Sequence, residues 1–215
     1  MRRKRLLDNA LWCLLISLMP VESTRQSSDI GPNSLPSGRG QVTVTRTYLA
    51  MTRPDQLRCG DPPALPTQLI ALDPCTIDAW RMLYTHIGSQ WHWHDRDAWS
   101  DADLQARLDT GRVSVFRVRA ELPHGVIDDA GFLELEHHPD GSIELAYVGL
   151  DSRVFGHGIG RWLVAEATAL AWSRGATHVW LHTCTLDSES ALPNYLARGF
   201  QPTRQEQYVT EIANR

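Results

Sequence analysis

Between residues 112 and 174 the chain changes its period, and this limits the fold more than any other feature. RVSVFRVRA, AGFLELEHH and SIELAYVGL alternate apolar and polar side chains, as half-buried strands do. Pro139–Asp140–Gly141 supplies a tight turn between the last two. Directly afterwards VFGHGIGRW, Val154 to Trp162, carries glycine at three alternate positions. A helical period then takes over, with Ile159, Leu163, Ala167 and Leu170 on one face and Gly175 as terminator. Hairpin-paired strands followed by a strand–helix–strand unit point to an α+β design. The expected fold is a mixed, mostly antiparallel central sheet with flanking helices.

The flanking sequence agrees. Folded structure is expected from Gln41, where QVTVTRTYL alternates and is β-branched. DQLRCGDPPALP reads as loop and TQLIAL as a short strand. TIDAWRMLYTHIG has Ile77, Trp80, Leu83 and Tyr84 at helical spacing. A second helix, SDADLQARLDTG, starts on Ser100 as N-cap and stops at Gly111. THVWLHTC reads as a strand. A short helix follows from about Ala191, because Pro193 lacks an N–H and belongs in a first turn. EQYVTEI is the last strand.

Residues 1–40 are expected to be an amino-terminal extension and linker, signal-like or disordered, with the folded domain spanning 41–215. The start, MRRKRLLDNALWCLLISLMPVES, has a basic head and an apolar run and resembles a secretory signal. The run is too short to cross a bilayer, which takes about 20 apolar residues. Ser, Pro and Gly crowd residues 27–40. The four cysteines, Cys13, Cys59, Cys75 and Cys184, form no CxxC pair, so neither a zinc site nor a disulfide framework is suggested. A formal charge of −4 argues against a general nucleic-acid binder.

A strand turning sharply into a helix presents free backbone N–H groups, to which the helix dipole adds positive charge. Glycines remove the Cβ atoms that would hold an anion away, so a phosphate or pyrophosphate is the natural ligand. The spacing Gly156, Gly158, Gly160 is not the dinucleotide fingerprint, which would need glycine where Arg161 stands. No GK pair exists for a P-loop.

GLDSRVFGHGIGRWLV resembles the acetyl-CoA loop of the GNAT superfamily of N-acetyltransferases, and ALPNYLARGF resembles that superfamily's second motif, a Tyr four residues before Gly-Phe. The resemblance covers roughly residues 70–210. WHWHDR and HTCTLD, at Trp91–Arg96 and His182–Asp187, look like motifs of a subgroup without assigned function. The resemblance implies acetyl-CoA as co-substrate and a V between the fourth and fifth core strands, in which pantetheine lies. It implies a pyrophosphate on the amides of Phe155, Gly156, His157, Gly158, Ile159, Gly160 and Arg161, and a Leu150 main chain facing the thioester. Asp187 or Ser188 falls where the family often places a polar residue against pantetheine. Phe155 departs from the usual Arg or Gln; Arg153, His157 or Arg161 could supply the lost charge. Acetyl-CoA being a cytosolic metabolite, a cytoplasmic protein is expected, with export left open by the signal-like start.

Acetyl transfer to an amine needs a neutral amine, a donor for the oxyanion and a proton for the departing thiolate. By resemblance, Tyr195 is the general acid. Glu144 is the candidate base: strict alternation puts residues 144, 146, 148 and 150 on one strand face. Glu134 and Glu136 are its rivals. His182 and Cys184 are read as core packing, and the His92–His94 pair as a weak metal signal, so no metal is expected. Four of the eight tryptophans, Trp80, Trp91, Trp93 and Trp99, cluster where the superfamily builds its acceptor site. Trp91 and Trp93 with Asp95 would suit a cationic or aromatic amine. The expected activity is direct acetyl transfer to a primary amine of a small molecule or peptide, with no nucleic-acid partner, no stable membrane span and a possible homodimer. The alternative is a non-catalytic acyl-CoA-binding or regulatory module.

Overall fold

The computed structural model describes residues 39–213, so the extension expected over 1–40 lies outside the described residues except at its last two. β1 (Arg39–Met51) and β2 (Thr67–Ala71) are followed by α1 (Ile77–Gly88) and α2 (Asp101–Leu108). Then come β3 (Val113–Leu122), β4 (Gly125–His137), β5 (Ile143–Leu150), α3 (Ile159–Ser173), β6 (Val179–Cys184), α4 (Ala191–Ala197) and β7 (Gln201–Ala213). The strands form one mixed sheet in the order β2-β3-β4-β5-β6-β1-β7. Every neighbouring pair is antiparallel except β5–β6. The expected α+β fold is therefore observed.

Each helix starts where its side chains allow. Thr76 and Ser100 accept hydrogen bonds from the Ala79 and Asp103 amides, capping α1 and α2. Pro193 lies in the first turn of α4. α1 and α2 cover one face of the sheet, around Trp80, Leu83, Ile87, Leu104, Phe132 and Tyr147. α3 and α4 cover the other, where Leu163, Ala167 and Tyr195 meet Leu49, Leu133, Leu145, Val179 and Leu181.

Two features of the sheet position the site. β5 and β6 pair only at Ile143–Val179 and Glu144–Trp180, then part. This is the V expected between the fourth and fifth core strands. The second is a bulge. Glu134 lies opposite Tyr147 and Leu135 opposite Leu145, so Ala146 has no partner. The expected placement of 144, 146, 148 and 150 on one face is thereby corrected. Ala146 and Tyr147 both pack on the α1 side, whereas Val148 and Leu150 turn to the α3 side. One extra residue reverses the alternation.

Candidate active site

The glycine loop leaves a run of amides free. α3 begins on Gly158, whose backbone is left-handed (φ 77°) and which offers no side-chain cap. Among the described residues, the N–H groups from Gly156 to Arg161 make no hydrogen bond; the first to do so is Trp162, to the Gly158 carbonyl at 3.3 Å. A Cβ on Gly156 (φ 80°) would meet nothing within 4 Å, so its left-handed backbone faces open space. The loop fits a pyrophosphate on this ground.

Three contacts hold the loop. The Ala64 amide donates to the His157 carbonyl at 2.9 Å. Arg161 Nε donates to the Asp61 carbonyl at 3.3 Å, and Asn194 Nδ2 to the Gly160 carbonyl at 3.1 Å. The last ties α4 to α3. The segment between β1 and β2, read from sequence only as loop, is therefore a buttress. Its Gln56 carbonyl would lie 2.0 Å from a Cβ on Gly199 (φ 105°), which is why the Gly-Phe pair needs its glycine.

Phe155, where the resemblance expects Arg or Gln, is 46% exposed, with its ring 6.3 Å from Trp91. Of the cations that could replace the lost charge, Arg161 lines the cavity beside the loop. Arg153 is committed to Asp151 at 2.7 Å, and His86 reaches the same carboxylate at 2.8 Å. Bonds from Arg153 first, outweighing partial burial, hold Asp151 down at about 2.

A cavity of about 1060 Å³ opens between the splayed strands. Leu150, Phe155, Gly156, Gly158, Ile159, Gly160 and Arg161 line it, together with Glu144, Tyr195, Trp91, Trp93 and Asp95. The sequence-predicted residues thus meet at one site, except His157, which does not line the cavity. Tyr195 is 8% exposed and packs edge-on to Phe200. Its hydroxyl makes no hydrogen bond among the described residues. Burial, and then the Asp187 charge, push its pKa well above the usual phenol value. Asp187 itself closes the turn after β6, accepting from Thr183 Oγ1 at 2.7 Å and from the Cys184 amide at 2.8 Å.

Glu144 lies on the last paired residue before the strands part, 8% exposed. Its Oε2 is 3.1 Å from His138 Nε2 and its Oε1 is 3.4 Å from His182 Nδ1. Burial alone would raise its pKa, but the two histidines outweigh burial and hold it below the usual glutamate value. The rivals are occupied. Glu134 is fully buried and accepts from Trp80 Nε1 (2.6 Å), Arg96 (2.9 Å) and Arg107 (3.0 Å). Glu136 is gripped by both Arg107 terminal nitrogens at 2.9 and 2.6 Å. Glu136, His138 and Glu144 bring donor atoms within 4.8 Å of one another, but Arg107 already occupies the first of them.

The core reading of His182 and Cys184 is corrected. Val179 and Leu181 pack into the α3 side, so His182 and Cys184 face the opposite side and line the cavity. That parity was available in THVWLHTC. Burial, then the Asp187 charge, raise the Cys184 thiol, which disfavours a thiolate nucleophile.

On the acceptor side the three expected residues differ in kind. Trp91, the first residue of the WHWHDR segment, lies beside the glycine loop, its ring 6.3 Å from that of Phe155. Trp93 is largely a packing residue: its ring lies over Gly88 and Gly149, 4.9 Å from the Tyr147 ring. Asp95 is exposed and accepts from the hydroxyls of Tyr84 (3.1 Å) and Tyr147. Arg96 is buried beneath them, its guanidinium 4.9 Å from Trp99 and 4.7 Å from Tyr147. All six residues of the WHWHDR motif line the cavity, with the Arg buried and the Asp exposed.

Taken together, a splayed mixed sheet, a strand bulge at the opening and a helix start without a side-chain cap frame this cavity. A model of the acetyltransferase (GNAT) family matches residues 80–200, and the chain belongs to that family. No curated protein matches it. Its fold is similar to that of a GCN5-related N-acetyltransferase from Sphaerobacter thermophilus, at a TM-score of 0.56 and 16% identity, over 82% of this chain and 54% of that one. A second, from Kribbella flavida, matches at 0.54 and 19%, over 79% and 59%. The chain therefore spans little more than half the length of these structures. No helix among the described residues is long and apolar enough to cross a membrane.

Proposed function

We propose that the protein is an acetyl-CoA-dependent N-acetyltransferase acting by direct transfer on a primary amine of a small molecule or peptide. The observation that carries this reading is the run of unbonded amides from Gly156 to Arg161, which opens on the same cavity as the Tyr195 hydroxyl and Glu144. The amides hold the pyrophosphate, and Arg161 contributes the positive charge that Phe155 does not. Pantetheine lies in the V beyond Glu144 and Trp180, with Leu150 beside the thioester and Asp187 and Ser188 along the opposite strand. The amine enters past Trp91 and attacks the acetyl carbonyl. Tyr195, with no partner for its hydroxyl, protonates the departing thiolate. Its raised pKa keeps it protonated through the physiological range. Glu144 anchors the base side. Both reactants are soluble, which fits a cytoplasmic protein, and the cavity requires neither a metal nor nucleic acid.

The test is a panel of primary amines with acetyl-CoA, followed as released thiol, beside calorimetric titration with CoA. Stoichiometric CoA binding and turnover with at least one amine are expected. Binding with no turnover on any amine would make the protein a non-catalytic acyl-CoA-binding module instead.

A further inference from the structure

We infer that His182 is the group that takes the proton from the attacking amine, and that Glu144 positions it; the inference rests on the acetyltransferase reading above. Glu144 is poorly suited to direct attack on an ammonium. It is 8% exposed, and both carboxylate oxygens already face an imidazole, His138 on one and His182 on the other. A carboxylate accepting two such contacts is stabilised as the anion and is a weak base.

His182 has the opposite position. Its side chain is 36% exposed and lines the cavity. Nδ1 lies 3.4 Å from a Glu144 carboxylate oxygen, which leaves Nε2 without a hydrogen bond among the described residues. β5 and β6 part immediately after Glu144–Trp180, so His182, two residues further along the same face of β6, stands about 6–7 Å into the opening. Against its other side lies Tyr48 of β1, with ring centroids 5.7 Å apart.

The charges around the ring favour this role. From β5 it faces the Glu144 anion. From β1 it faces Tyr48, whose hydroxyl donates to Glu206 of β7 at 2.7 Å, and Arg46, which is paired with the same Glu206 at 3.4 Å. Arg204 of β7 sits over the far ring of Tyr48. Cys184 follows on its own strand, with a raised thiol pKa. His138 reaches it only through Glu144. The nearest charge is the Glu144 carboxylate, which His138 shares on its other oxygen.

The protons balance. His182 Nε2 takes one proton from the ammonium and passes it to solvent. The neutral nitrogen forms the C–N bond, the C–S bond breaks, and Tyr195 gives its hydroxyl proton to the thiolate. The second nitrogen proton restores Tyr195 through water. An ammonium and a thioester become an amide, a thiol and one released proton.

The experiment is the pH profile of kcat/KM from pH 5.5 to 9 with the best amine of the panel, for the full-length wild type, His182→Gln, His182→Ala and Glu144→Gln. Melting curves and CoA titration accompany each. The wild type is expected to show an acid limb. His182→Gln should lower kcat/KM by about 10²–10⁴-fold, lose that limb, and keep CoA affinity. Imidazole added to His182→Ala should restore part of the rate. Glu144→Gln should keep the limb and lower kcat/KM, because the ring loses the carboxylate beside Nδ1. The proposal is overturned if His182→Gln keeps both rate and limb, or if the limb vanishes only in Glu144→Gln, which would make the carboxylate the base. Should either His182 variant melt far below wild type, the Glu144→Gln profile still decides between the two. A wild type that binds CoA and acetylates nothing would defeat the acetyltransferase reading itself, and this proposal with it.

Discussion

Two glycines of this chain form a matched pair that separates backbone strain from ligand binding. Gly156 and Gly175 have nearly the same backbone (φ 80° and 83°), and a Cβ on either meets nothing within 4 Å. Gly156 belongs to the loop of unbonded amides; Gly175 follows α3 at its far end. An L-residue in this left-handed region costs about 1–2 kcal/mol. For a domain of this size each kcal/mol is about 2–4 °C in Tm, so Gly156→Ala and Gly175→Ala should both melt about 2–8 °C below wild type. Their CoA affinities should diverge. A methyl on Gly156 would displace the pyrophosphate from at least one charge-assisted hydrogen bond, worth about 1.5–3 kcal/mol. At 1.4 kcal/mol per decade that is a Kd about ten- to a hundredfold weaker, while Gly175→Ala binds as wild type. Differential scanning calorimetry and isothermal titration with CoA give both numbers. Equal Kd in both variants would refute the phosphate cradle, and a weaker Kd in Gly175→Ala would show that strain alone affects binding.

Other predictions follow from the same geometry. Tyr195→Phe should melt within a few degrees of wild type and keep CoA affinity, but lose about 10²–10⁴-fold in kcat, together with any alkaline limb the phenol causes; normal turnover would remove the general-acid role. Trp91→Ala should raise acceptor KM with little change in Tm, whereas Trp93→Ala should destabilise by about 3–5 kcal/mol, since its ring is packed over Gly88 and Gly149; denaturant unfolding and steady-state kinetics distinguish them. Arg107→Met strips a partner from the buried Glu134 and should cost about 3–5 kcal/mol in unfolding free energy. Asp151 has a folded pKa of about 2, depressed below its ordinary value, so its contribution is present above about pH 4 and lost as pH falls towards 2. Asp151→Asn should flatten that part of the Tm-against-pH curve.

Local rules made the strands, the cap of α2 and the glycine loop legible, because each depends on neighbours a few residues apart. The meeting of Leu150, the loop amides, Tyr195 and Glu144 followed from motif order. What escaped depends on distant pairing. The unpaired Ala146 is set by the register against β4, which alternation along β5 alone cannot reveal. The Glu144–His138–His182 contacts join β5, β6 and the turn after β4. The hydrogen bonds that Tyr84 and Tyr147, on separate elements, give the Asp95 carboxylate could not be read from the sequence either. His182 is the exception, since the parity of its strand already turned it away from the core.

The place of β1 in the sheet has a consequence for synthesis. It lies between β6 and β7, with Arg46 opposite Cys184 on one side and Glu206 on the other. The first described strand to leave the ribosome thus waits for the last two before either of its edges is paired. Until then Val44, Leu49 and Met51, all fully buried in the finished protein, have no sheet to enter. Nascent chains stalled before Val179 therefore carry an open strand with an apolar face, the kind of surface that chaperones hold and aggregates recruit. A fusion partner appended after β7 would have to leave Gln201–Ala213 free to fold in, or the sheet would remain unclosed at the step that completes it.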